Sequence, residues 1–128
     1  MDRSNLCEEF AQILGGMILS QDPCTVLRLR NITPTILGRT SRSSLTRGML
    51  FSFESMDAQG RTLNLGETVI MQDEINPFIS ALREQGILVT ALHNHWLFDE
   101  PRLFYIHWES IDEPLAFARK TVRALGLL

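Results

Sequence analysis

A chain of 128 residues is the size of one ordinary domain and long enough to bury a core. Hydrophobic residues make up 45% and charged residues 21%, which excludes disorder along the whole chain. A net charge of -3 gives no support to nucleic acid or an acidic membrane surface as a primary partner.

Leu6, Phe10, Ile13 and Leu14 fall at helical spacing, and Gly15-Gly16 ends that segment. The run Met17-Ile18-Leu19 is too short for a signal core or a membrane span, so the expected location is cytoplasmic. In that compartment Cys7 and Cys24 read as thiols, with a disulfide between them as the alternative. Leu27 and Leu29 then alternate with Arg28 and Arg30, the pattern of a half-buried strand with one wet face. Residues 38–48 read as a loop carrying Arg39, Arg42 and Arg47 without an acid. Such a loop is either a surface connection or a grip for an anion.

Residues 49–56 alternate, Asp57-Ala58-Gln59-Gly60 supplies a turn, and Leu63, Leu65, Val69 and Met71 continue on one face. This predicts a β-hairpin. Asp73 and Asn76-Pro77 open a helix with the stripe Ile75, Phe78, Ile79 and Leu82, ended by Gly86. The order repeats: strands over 87–95 and 102–109, then a helix opened by Asp112-Glu113-Pro114 with Leu115, Ala118, Val122 and Leu125 on one side. The expected fold is α+β in one domain. An antiparallel sheet of about five strands carries two C-terminal helices on one face, as two hairpin-helix units, with an N-terminal helix covering an edge or the far end.

The three histidines all lie between positions 93 and 107. On a strand, His93 and His95 point the same way, and such a pair can supply two ligands to zinc or another divalent metal. His107, Glu100 or Glu109 could add a third ligand, leaving a position for water and hence Lewis-acid chemistry. His107 shares that face only if an odd number of residues separates His93 from the residue opposite it. The bland alternative makes all three histidines ordinary sheet residues and Trp96, Phe104, Tyr105 and Trp108 ordinary packing. The contiguous His93-Asn94-His95 is not the dispersed triad of an HNH nuclease. No nucleophile elbow, Walker loop or dinucleotide fingerprint is present.

Glu74-Ile75-Asn76-Pro77, Ala81-Leu82, Gly86-Ile87, the run from Val89 to His95, Pro101-Arg102-Leu103 and His107-Trp108 stand in an order that resembles the LppY/LpqO family. That is a bacterial domain family of unknown function, named after mycobacterial lipoproteins. The resemblance is specific over residues 62–125 and general over 1–60. It implies that Glu74, His93, Asn94, His95, Arg102 and His107 belong to one set. Two departures stand out: there is no lipoprotein signal, and Glu109-Ser110-Ile111 replaces an expected glycine-containing stretch.

Two functions compete. In one, a metal or small ligand sits on His93, His95 and His107 beside Asn94 and Glu100. There Glu74 acts as acid or base, Arg102 orients an anionic group, and the chemistry is metal-assisted hydrolysis or proton transfer. In the other, the apolar run Trp96-Leu97-Phe98 makes a non-enzymatic contact with a protein partner or a second copy.

Overall fold

A computed structural model describes residues 5–128. Its elements are α1 (Leu6–Leu14), β1 (Met17–Gln21), β2 (Cys24–Leu29), β3 (Thr35–Ile36), β4 (Arg39–Thr40), α2 (Ser44–Arg47) and β5 (Gly48–Glu54). They continue with β6 (Thr62–Met71), α3 (Ile75–Glu84), β7 (Leu88–His93), β8 (Asp99–Glu100), β9 (Leu103–Asp112) and α4 (Pro114–Leu125). The two hairpin-helix units are therefore β5-β6-α3 and β7-β9-α4.

The expected sheet of about five strands is an antiparallel sheet of six, in the order β1-β2-β5-β6-β9-β7, with a second sheet of three, β4-β3-β8. The extra strands come from three places, one of them β8 in the turn after His95, which pairs with β3. Residues 17–21 pair with β2 although their apolar run is short. At the start of the Arg/Ser stretch, the two-residue turn Leu37-Gly38 pairs β3 with β4. That stretch also contains α2, whose N-terminus is capped by the Ser43 hydroxyl accepting from Leu45 N–H. It is thus folded chain, not one connection.

Helices α1, α3 and α4 pack into one core on one face of the large sheet, with α1 beside α4 and over the β1–β2 edge. The α4 stripe is rotated from the expected one. Phe117, Ala118, Thr121 and Ala124 are fully buried, whereas Leu115 and Val122 are only partly so. In β2 the alternation is real but inverted. Cys24 and Val26 face the helices, and the Arg28 guanidinium reaches across to donate to Leu14 O at 3.3 Å. Leu27 and Leu29 therefore lie on the opposite face.

Cys7 and Cys24 form a disulfide with their Cα atoms 5.5 Å apart, which corrects the reading of both as thiols. The first turn of α1 crosses the start of β2, and both sulfurs are buried there. Bonded pairs are what oxidising compartments sustain, so the disulfide weighs against the cytoplasmic expectation. No described helix is long and apolar enough to cross a membrane.

The β6–β9 ladder runs for ten residue pairs, and Gly66 stands opposite Trp108. A Cβ on Gly66 would come within 2.4 to 2.7 Å of three indole atoms. The missing side chain is what lets the Trp108 ring lie across the neighbouring strand, where it packs against Phe51 and Phe78 at centroid distances of 6.2 and 5.3 Å. Gly66→Ala is expected to cost about 1–3 kcal/mol by overpacking. Equilibrium denaturation reads it, and an unchanged midpoint would contradict this packing. Replacing both cysteines by alanine is expected to cost about 3 kcal/mol, the value for closing a loop of this length. Equal denaturant midpoints with and without reductant would contradict that.

Candidate functional site

Because Gly66 and Trp108 face the helices, their chain neighbours Glu67 and His107 face the other way, directly opposite one another. On β7, Ala91 opposes His107 and His93 opposes Tyr105. The odd spacing that the sequence left open is therefore met, and His93 and His107 share the helix-free face. Their Nε2 atoms are 3.1 Å apart, with ring centroids separated by 5.0 Å. One ring donates and the other accepts in that contact, since two N–H groups or two bare lone pairs cannot face each other at this distance without a proton or cation between them.

His95 lies just beyond the end of β7, yet its ring stacks on His93 at 4.9 Å and on Tyr105 at 3.8 Å, the latter with planes 8° apart. Tyr105 is a fixed platform. Its hydroxyl donates to Thr46 O at 3.0 Å and accepts from Trp96 Nε1 at 2.8 Å. Burial pushes its ionisation above the usual 10.0 and nearby Asp99 adds to this, although the Trp96 bond pulls the other way. His95 is held below the ordinary 6.5, first by lost solvation and then by the charges of His93 and His107, while Glu67 opposes the shift.

Beside His107 the open face forms a shallow groove of about 340 Å³. The strand register arranges it as two rows of side chains. One contains Thr25, Ser52, Leu65 and Glu109; the other contains Leu50, Glu67 and His107. No arginine or lysine lines it, and among the described residues Glu67 and Glu109 belong to no ion pair.

The remaining expected site residues are placed elsewhere. Both carboxylate oxygens of Glu74 accept from the Arg30 guanidinium, and Oε1 also accepts from Met71 N–H at 2.8 Å. Burial pushes its pKa up, but the Arg30 hydrogen bonds, the Met71 N–H and the guanidinium charge outweigh this and hold it below 4.5. It is a helix-start residue locked onto Arg30. Arg102 Nη1 donates to Asp99 Oδ1 at 2.8 Å and reaches the carbonyls of Trp96 and Leu97, so it braces its own loop. Asn94 Nδ2 closes the end of β7 by donating to Leu103 O at 3.0 Å. Glu100 is exposed in the small sheet, paired with Thr35.

Glu67 and Tyr105 were missed. A signal for Glu67 existed: it is the single acid in the alternating run Leu63, Leu65, Glu67, Val69, Met71. Among the described residues, no three His, Cys, Asp or Glu side chains converge as a finished metal cage. What is present is the Nε2 pair, with His95 and Glu67 alongside.

A family model described as "Domain of Unknown Function (DUF1259)" matches residues 8–126. The chain belongs to that family. No curated protein and no solved structure matches it.

Replacing Glu67 by Gln removes the one influence that raises the His95 pKa, so its titration midpoint falls further below 6.5. NMR of the ring carbons reads this, and an unmoved midpoint would show that Glu67 does not face the ring. The unfolded chain takes up this proton first. Stability therefore drops as pH falls below about 6.5, until the folded ring titrates as well.

Proposed function

We propose that this member of the Domain of Unknown Function (DUF1259) family binds a divalent cation of the zinc class on its helix-free sheet face. His93 and His107 supply Nε2 donors, and Glu67 with His95 completes the set by small side-chain rotations. The observation that carries this reading is the 3.1 Å separation of the two Nε2 atoms. Two imidazoles bound to one zinc at about 2.0–2.1 Å, with bond angles between octahedral and tetrahedral, stand about 2.9–3.4 Å apart. The chemistry of the donors agrees: neutral imidazole and carboxylate suit zinc and its neighbours. A depressed His95 pKa keeps that ring neutral and its lone pair free.

The groove beside His107 supplies room for a small molecule against the cation. Lining carboxylates and the lack of cationic side chains favour a neutral or positively charged ligand over the anion that Arg102 was expected to orient. With water in a remaining position, the reaction class is metal-assisted hydrolysis or proton transfer, the metal supplying a lowered water pKa. The resemblance to LppY/LpqO is part of the same reading, through His93, His95 and His107 as a set. Glu74 and Arg102 take no part in it.

Zinc titration calorimetry on chelator-treated protein tests the proposal. One equivalent binds, and His93→Ala and His107→Ala each weaken binding by at least about tenfold. Glu74→Gln leaves zinc affinity unchanged but lowers stability by about 2 kcal/mol, because Arg30 loses a charged partner. Zinc binding that survives both histidine variants, or no binding at all, would overturn the reading.

A further inference from the structure

Leu37 is doubly unfavourable where it stands. It shares with Gly38 the two-residue turn between β3 and β4, and both have positive φ, 53° and 77°. Turns of that kind ordinarily take Asn-Gly or Asp-Gly, because an aliphatic side chain resists the left-handed region. The Leu37 side chain is also 74% exposed, so no packing offsets the strain. Its N–H donates to Phe98 O at 3.0 Å, which brings a second turn alongside. There Leu97 and Phe98 are 84% and 68% exposed. A strained backbone under clustered exposed apolar groups marks a contact surface.

The charge around this tip is opposite to that of the chain. Arg39 and Arg42 are exposed in a stretch, residues 37–47, that holds no acid. In the neighbouring turn Asp99 is engaged by Arg102, which leaves Glu100 as the one carboxylate there outside an ion pair among the described residues. A net charge of -3 averages over this asymmetry and so conceals it.

The geometry points to the tip formed by Leu37, Leu97 and Phe98 as a docking element for an anionic lipid surface, with Arg39 and Arg42 meeting headgroup phosphates. Side chains on the outer ends of two turns can enter the headgroup–acyl boundary without a partner of complementary shape, and flanking arginines complement a negative surface. The proposal is independent of the cation site.

Co-sedimentation of the full chain with vesicles tests it. The probes are phosphatidylcholine alone and phosphatidylcholine mixed with phosphatidylglycerol. Binding is expected to the mixed vesicles only, and to weaken as salt rises. Leu97→Ser with Phe98→Ser reduces partitioning at least about tenfold. Arg39→Gln with Arg42→Gln reduces it about fivefold per arginine. Leu37→Asn also reduces binding while leaving the thermal midpoint equal or higher, because Asn suits this backbone. That variant separates lost docking from lost folding. No binding to mixed vesicles, or binding unchanged in these variants, overturns the proposal. So does a concentration-dependent dimer that the Leu97/Phe98 variant abolishes, which would assign the tip to a second copy.

Discussion

The indole of Trp108 lies across the sheet over the space that Gly66 leaves empty, and the other placements in this domain follow from that contact. It decides which side of β6 and β9 meets the helices. Once Trp108 is committed to the core between Phe51 and Phe78, strand alternation leaves Glu67 and His107 no choice but the opposite face. A slip of one residue would exchange the two faces, burying a carboxylate and an imidazole while exposing the largest core side chain. The ten-pair ladder and the core therefore fix the candidate site from beneath.

From above, the site is bounded by chain that has little regular structure. Ile32 and Trp96 pack over Val69, Met71, Leu103 and Tyr105, so that one end of the helix-free face is closed while the end beside His107 stays open. Tyr105 belongs to both layers. It is buried under the loops through its hydroxyl bonds and offers its ring face to His95. Arg102 and Asn94 stabilise this cover from within. That accounts for polar side chains in a loop rich in apolar groups without giving them a chemical role.

The two hairpin-helix units were legible because their signals are local: alternation in residues 62–71, turn residues at Asp57–Gly60, and helix starts at Asn76-Pro77 and Pro114. The histidine cluster was legible for the same reason, since a pair of residues at one strand end and a third across a hairpin need only one parity to meet. Long-range matters were not legible. Glu74 reads as a candidate acid because Arg30, the residue that occupies it, is forty-four positions away. The Cys7–Cys24 bond depends on how α1 crosses β2, which neither cysteine's neighbours encode. Leu27 and Leu29 look like core residues until the register of β2 against β5 turns them outward. Glu67 is the converse case, a residue whose own strand pattern placed it correctly but whose partner lies on β9.

The proposed cation site rests on the His93–His107 pair of one sheet face, with Glu67 opposite His107 in the register. Anomalous diffraction at the zinc absorption edge, from crystals grown with zinc, measures this most directly. The account predicts one strong peak about 2.0–2.1 Å from Nε2 of both His93 and His107, with Glu67 or His95 as a further neighbour. A peak held by other residues, or two imidazoles still hydrogen-bonded to each other with no peak between them, would contradict it.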